Sequence, residues 1–279
     1  PMVLHWHLRN AAVMCLTGWV LLGASAMTLN SIFFGGDDVY AYWDGNILCD
    51  ITTRVLLTCG MGIPLSILAL SRSLSNIITS TNVRMPTAEL RRHELVIELL
   101  ISIALPLVFL VTYYVYQSHR YVLIQHTGCS FSVSYTWATL FMYLVWLPVI
   151  MVIACCYNIR TIYYCVRRQQ EFRDLMRYGK SKLTILRFAR LLLFCIVMIF
   201  TGVPIIMYIS VYNFKLGFRA FKWSEVHDPA TWYTIPRVPK ASYMFTFYLY
   251  PITGFLLFIF FGIGQDAMRM YKGLLNKLG

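Results

Sequence analysis

A chain of 279 residues is long enough for one or two soluble domains, but 58% of it is hydrophobic and 13% charged, against about 25% charged in typical soluble proteins. That composition excludes an ordinary water-facing domain and points to an integral membrane protein. The formal net charge of +12 sits in short stretches between apolar runs, the pattern set by membrane topology, so nucleic acid is excluded as a partner.

The apolar runs cover residues 11–34, 47–71, 95–117, 136–159, 191–213 and 242–264. At 1.5 Å rise per residue each makes a helix of roughly 35 Å, enough for a hydrocarbon core of about 30 Å. Four of the six contain no Asp, Glu, Lys or Arg, and stretches such as Leu191 to Met198 do not alternate in polarity as barrel strands do. The fold class is therefore all-α, a single transmembrane helical bundle over 1–279. Residues 1–10, 72–94, 160–190 and 265–279 together carry 17 basic and 5 acidic residues, whereas 35–46, 118–135 and 214–241 carry 6 and 5. Basic residues accumulate on the cytoplasmic side, which places the first set, with both ends of the chain, inside. Pro1 in place of Met, followed by Met2, Val3 and Leu4, reads as the tail of an earlier span.

Five spans hold an interior proline: Pro64, Pro106, Pro148, Pro204 and Pro251. Each removes a backbone hydrogen bond and is a candidate kink, either an ordinary feature of such spans or part of a bundle built to change packing. No metal-site, nucleophile or phosphate-loop motif is present, so neither catalysis nor a cofactor or metal is expected. His5 and His7 flank Trp6 without a Cys, Asp or Glu to complete a metal site.

Three ionisable residues fall inside spans: Asp50, Arg54 and Glu98. Asp50 and Arg54 are four apart and share a helix face, as a neutralising pair or as ligand contacts. Glu98 lies near the inner mouth, within reach of Arg91 or Arg92. A coupled transporter, the rival reading together with a channel, would place a carboxylate nearer the midplane.

Cys49 and Cys129 are the two cysteines expected on the oxidising side, and a disulfide between them would pin the outer loop over the bundle mouth; two free thiols are the alternative. Outside, Asp38 and Trp43 stand in an acidic, aromatic loop. Trp223, Glu225, Asp228 and Trp232 stand in the longest outer loop. With Asp50 and Arg54 they form a candidate vestibule suited to a peptide or lipopeptide, although aromatics there also serve as belt residues. Inside, Arg167, Arg168, Arg173 and Arg177 are interleaved with apolar residues at helical spacing, and Arg187 and Arg190 lead into the fifth run. Such a stretch docks a cytosolic partner or touches anionic membrane lipid. Residues 265–279 read as an amphipathic helix lying along the membrane.

The chain resembles the fungal mating pheromone receptors of the a-factor receptor type, in the fungal class D branch of G-protein-coupled receptors. The resemblance rests on Trp6-His7, Arg9-Asn10, Trp43-Asp44-Gly45, Leu48-Cys49-Asp50-Ile51 and Gly128-Cys129. It continues through Arg167-Arg168, Glu171 to Leu175 and Leu186 to Cys195, and ends with Phe261 to Gly264, Asp266-Ala267 and Met270-Tyr271. It implies seven spans, of which six are present here and the first is missing, and a cytoplasmic tail beyond Gly279. It further implies a plasma-membrane receptor, not an enzyme, that binds a secreted farnesylated peptide pheromone and activates a heterotrimeric G protein and the mating response. The Asp/Glu-Arg-Tyr and Asn-Pro-x-x-Tyr motifs of rhodopsin-like receptors are absent, so switch residues cannot be carried over from that class. An apolar, lipid-accessible crevice is expected for the farnesyl group, with no residues assigned; the oligomeric state is not legible.

Overall fold

The computed structural model describes residues 10–79, 88–167, 185–239 and 248–263. Helix α1 (Ala11–Phe33) starts at Asn10, whose side chain accepts from the Val13 amide at 3.1 Å and so satisfies a first-turn donor. Helix α2 (Asn46–Thr79) follows and runs through Pro64. Helix α3 (Ala88–Leu99) passes through a π-helical turn at Leu100–Ala104 into α4 (Leu105–Tyr116). A hairpin of β1 (Val122–Ile124) and β2 (Gly128–Ser130) leads to the short α5 (Trp137–Thr139), a second π turn at Leu140–Leu144 and α6 (Trp146–Arg167). Helix α7 (Ile185–Leu216) precedes two single-turn helices, α8 (Trp223–Val226) and α9 (Pro229–Trp232), and strand β3 (Arg237–Val238). The last described element is α10 (Leu249–Leu257), continued by a π turn at Phe258–Gly262.

Five of these helical segments are long and apolar enough to cross a membrane, and Leu249–Gly262 is a shorter apolar helix. Helix α2 is the hub: 72% of its membrane window is buried, against 22% for the α3–α4 span and for α7. Three of its hydroxyl residues are met within the helix itself: Thr53, Thr58 and Ser66 donate to the carbonyls of Cys49, Arg54 and Gly62, four residues back, within 2.7 Å. Around α2 pack Leu16 and Val20 of α1, Tyr113 and Tyr116 of α4, Ile150 and Met151 of α6, Phe194 of α7 and Leu257 of α10.

Two local devices lock spans together. The Ser102 carbonyl cannot be served by Pro106, which lacks an N–H, and instead accepts the Trp19 indole at 2.8 Å. The indole lies against Gly62, where an added Cβ would come within 2.7 Å of the ring, so close approach here demands a residue without a side chain.

The spans reach further than the apolar runs indicate. Helix α2 continues to Thr79 and α6 to Arg167, while α7 begins at Ile185. The polar end of α2 stays helical because Arg72 and Asn76 find partners on α3. The amphipathic helix expected over 265–279 lies outside the described residues, as do His5 and His7.

One end of the bundle is capped. Strands β2, β1 and β3 form a sheet in that order: β1 pairs antiparallel with β2, Leu123 opposite Cys129, and parallel with β3, Leu123 opposite Arg237. Under it lies a second small core of Phe34, Val39, Tyr42, Tyr121 and Leu123. The other end carries Arg72, Arg91, Arg92, Arg160, Arg167 and Arg190 and is here called the basic end.

Candidate functional sites at the two ends of the bundle

At the capped end, Cys49 at the start of α2 and Cys129 of β2 are joined in a disulfide with S–S 1.99 Å. Gly45 makes room for it: its φ is +80°, and a Cβ there would lie 2.2 Å from the Cys49 sulfur. Asn30 of α1 donates to the Cys129 carbonyl at 3.1 Å, so the hairpin is held by α1 and α2 together.

Asp50 and Arg54 do not form the simple pair that their spacing suggests. The Asp50 carboxylate is taken by Arg120, which donates Nε to both oxygens at 2.9 and 3.1 Å and Nη2 to Oδ2. This bond holds the Arg120 pKa above its ordinary value. Arg54 turns Nη1 onto the Asp50 backbone carbonyl at 2.7 Å and stays 3.7 Å from the carboxylate. With its side chain 47% exposed, it is the less committed of the two cations. Arg120 is the sole basic residue of 118–135, and that isolation was the sequence signal for a specific role.

Asp38 caps the 3-10 turn Val39–Ala41 through the Tyr40 amide, and Trp43 lies parallel to Phe34 with ring centroids 6.5 Å apart. Arg237 of β3 reaches this loop, bonding the Tyr40 carbonyl and Asp44 Oδ1, the latter at 2.6 Å. Trp223 and Trp232 belong to a separate ring cluster built around His227. The imidazole stacks on Trp223 at 3.9 Å and on Trp232 at 5.5 Å, and its Nε2 donates to the Tyr114 carbonyl at 2.8 Å. Glu225 pairs with Lys222 at 2.7 Å, and Asp228 caps α9 through the Ala230 amide. The eight vestibule candidates thus fall into three groups along one mouth. They are linked by β3 and by the Arg120 amide, which donates to the Trp232 carbonyl at 3.4 Å.

Below this mouth, between the second π turn, α6 and the end of α7, lies an apolar crevice of about 250 Å³. Leu140, Leu144, Pro148 and Val149 line one wall and Ser210, Asn213, Phe214 and Phe218 the other. It is closed above by a backbone bridge, Arg219 N to Tyr135 O at 3.0 Å and Trp137 N to Arg219 O at 3.1 Å, and by Trp137 packed on Phe218 at 5.8 Å. Its rim residues Val149 and Phe214 are exposed, so it opens sideways along the apolar flank of the bundle.

At the basic end, α3 supplies two carboxylates. Glu94 takes the Arg72 guanidinium at 2.9 and 3.3 Å and Asn76 at 3.5 Å. Glu98 is buried and bonds Ser73 and the Ala12 backbone, so it meets the N-terminus of α1. It does not pair with Arg91 or Arg92, whose exposed side chains stand nearly two turns, about 10 Å, earlier along α3. Arg167, in the last turn of α6, bonds Tyr163, and Arg190 is half-buried on α7. Arg187 falls in the first turn of α7; Arg168, Arg173 and Arg177 lie outside the described residues. Of the five prolines, Pro106 and Pro148 follow π turns, Pro64 and Pro204 lie inside α2 and α7, and Pro251 begins α10.

Comparison with known proteins settles the family. The family model described as STE3, pheromone A receptor, matches residues 1–279. The chain belongs to the STE3 family of pheromone receptors. It is 25% identical over 278 residues to the pheromone a factor receptor of Saccharomyces cerevisiae, covering 100% of this chain and 59% of that protein. Against pheromone B beta 1 receptor of Schizophyllum commune the identity is 26%, covering 99% and 52% of the two chains. Against pheromone receptor 1 of Ustilago hordei it is 25%, covering 98% and 79%. The chain thus spans between half and three-fifths of the length of the first two relatives. No solved structure matches. The STE3 family is one of receptors, not an enzyme class, and the helical bundle with its apolar spans is that of a multi-pass membrane receptor.

Proposed function

We propose that the chain is the membrane-spanning core of a plasma-membrane G-protein-coupled receptor for a secreted farnesylated peptide mating pheromone, without catalytic activity. The observation that carries this reading is the family match along the whole chain, which takes in the mouth, the crevice and the basic end alike. The capped end faces outside and the basic end the cytosol, in line with the excess of Lys and Arg in the connections at the basic end.

In this reading the isoprenoid chain enters the α6–α7 crevice sideways from the outer leaflet, and the peptide lies on the mouth above it. A prenyl chain already dissolved in the bilayer gains little hydrophobic free energy by moving into an equally apolar crevice. Its contribution is packing against Leu144, Pro148 and Phe214, together with confinement of the ligand to the membrane plane. The peptide's polar groups meet the Asp50, Arg54 and Arg120 cluster and the Trp223 and Trp232 rings. Occupation favours one packing of the helices by as much as the ligand's affinities for the two packings differ. Arg167, Arg168, Arg173, Arg177, Arg187 and Arg190 form the G-protein contact at the basic end, where membrane lipid is the other neighbour.

The test is pathway output from the full-length receptor in cells lacking their own pheromone receptor, exposed to peptides ending in a farnesylated cysteine and to unprenylated controls. A response confined to the prenylated peptides is expected. Equal potency of the unprenylated peptides would remove the crevice from the account, and silence from a surface-expressed receptor with a compatible G protein would remove the reading itself.

A further inference from the structure

The loop that follows α7 runs along the rim of the bundle. It leaves α7 at Gly217 and joins the start of α5 through the Arg219 bridge to Tyr135 and Trp137. It then reaches the capped end of α4, where His227 Nε2 donates to the Tyr114 carbonyl and the Trp232 carbonyl accepts the Arg120 amide.

Tyr114 identifies the flank on which the loop lies. Its ring continues a stripe of Leu100, Ile103, Leu107 and Val111, all exposed at spacings of three and four along the α3–α4 span. Such a stripe on a membrane span faces hydrocarbon. Tyr114 stands in the last turn of that span, where acyl chains give way to headgroups and aromatic rings collect. Trp223 and Trp232 pack on it with centroids 6.0 and 5.7 Å away. The last turn of α7 carries Phe214, 5.6 Å from Phe218, which packs in turn on Trp137 in the first turn of α5. Phe221, three residues beyond Phe218 and 6.4 Å from Trp223, connects the two groups along the chain. Rings thus follow the loop past the capped ends of three helices.

The sequence carries a second, independent sign. Three of the rings are each followed by a cation: Phe214-Lys215, Phe218-Arg219 and Phe221-Lys222. All three cations are exposed, and of the three only Lys222 has a carboxylate partner, Glu225, among the described residues. A ring at the edge of the hydrocarbon with a cation beside it reaching phosphate is how amphipathic segments lie on a bilayer.

We propose that residues 214–232 form a collar docked on the phospholipid leaflet at the capped end. The Phe218, Phe221 and Trp223 rings lie at the boundary between acyl chains and headgroups, and Lys215 and Arg219 meet lipid phosphates. The bilayer then helps to set the roof of the α6–α7 crevice, because the Arg219 backbone that closes it belongs to the docked strip. Docking requires neither ligand nor G protein, so its test stands apart from the receptor reading.

The test is hydroxyl-radical footprinting of the full-length receptor, one molecule per phosphatidylcholine nanodisc, read residue by residue by mass spectrometry. Trp223 is 52% exposed on the protein and Tyr40, in the loop between α1 and α2, 68%. On the protein alone the two rings would therefore be oxidised at similar rates once normalised for intrinsic reactivity. With its ring about 5 to 10 Å into the interface, Trp223 is expected to react about tenfold more slowly than Tyr40. Equal normalised rates overturn the collar. Trp223 emission, taken as the difference between the parent and Trp223→Phe, should also fall when dibrominated phosphatidylcholine replaces the ordinary lipid. An unquenched difference overturns the contact with lipid.

Discussion

Replacing Cys129 with Ser, alone and together with Cys49→Ser, isolates what holds the cap. The disulfide spans 80 positions of sequence, and chain entropy for a free loop of that size would give about 4.5 kcal/mol. That reference state is wrong for an inserted protein, because α2, α3 and α4 remain in the membrane when the bond is cut. What is released is the arm from the end of α4 at Tyr116 to Cys129, roughly 13 residues, for which the same relation gives about 3 kcal/mol. The small core of Phe34, Tyr42, Tyr121 and Leu123 still favours the closed cap, so the hairpin stays folded but opens roughly a hundredfold more often. Amide hydrogen exchange resolves this: residues 122–130 should exchange about two orders of magnitude faster in the variant, with the basic halves of α2 and α6 unchanged. Exchange equal to the parent would refute the claim that the disulfide holds the cap. Acceleration spread equally into the basic end would refute the claim that the released unit is local.

Arg120→Ala should destabilise the detergent-solubilised protein by about 1.5 to 3 kcal/mol, the range for a charge-assisted bond, toward the lower limit because both partners are partly exposed. Arg54→Ala should cost less, and a larger melting-temperature loss for Arg54→Ala than for Arg120→Ala would reverse the assignment of Asp50's partner. Gly62→Ala drives a Cβ to 2.7 Å from the Trp19 ring and should cost about 1 to 3 kcal/mol, restored in part by Trp19→Leu; a silent Gly62→Ala would show that the indole is not wedged there. Burial holds the His119 pKa below its ordinary 6.5, so the cap favours the neutral ring. As pH falls below about 6.5 the opened cap takes up the proton first, and stability is lost until the folded-state pKa is passed. The hairpin's opening equilibrium, taken as the exchange rate divided by the intrinsic rate at each pH from 7.5 to 5, should rise in the parent as pH falls, and His119→Gln should lose that component.

Spans were legible because hydrocarbon tolerates so few charges: the long uncharged runs that become α1, α6 and α7 admit no other reading. The helical spacing around Arg167 also carries α6 past its apolar run, but the end of α2 was not legible. Arg72 and Asn76 look like loop residues until Glu94 on a neighbouring helix supplies the partner that keeps α2 helical to Thr79. Asp50 shows the same limit at the mouth. Its near neighbour Arg54 was visible in the sequence, whereas Arg120, 70 positions away, becomes the stronger partner through the hairpin's path. Glu98 has Arg91 and Arg92 within reach along its own helix, but burial and the α1 N-terminus determine its surroundings. The π turns before Pro106 and Pro148 leave no trace in hydrophobic periodicity, and the crevice arises from how far α7 splays from α6, a tertiary property.

The claim that a prenylated pheromone reaches its receptor through the α6–α7 crevice is tested most directly by photocrosslinking. A peptide ending in a cysteine that bears a diazirine-tagged isoprenoid would be bound to the full-length receptor in membranes, irradiated, and the adducts mapped by mass spectrometry. Adducts on Leu144, Val149 or Phe214, competed by untagged farnesylated peptide and lost when Ser210→Phe fills the crevice, are the predicted result. Competed adducts confined to another face of the bundle, and unaffected by Ser210→Phe, would contradict it.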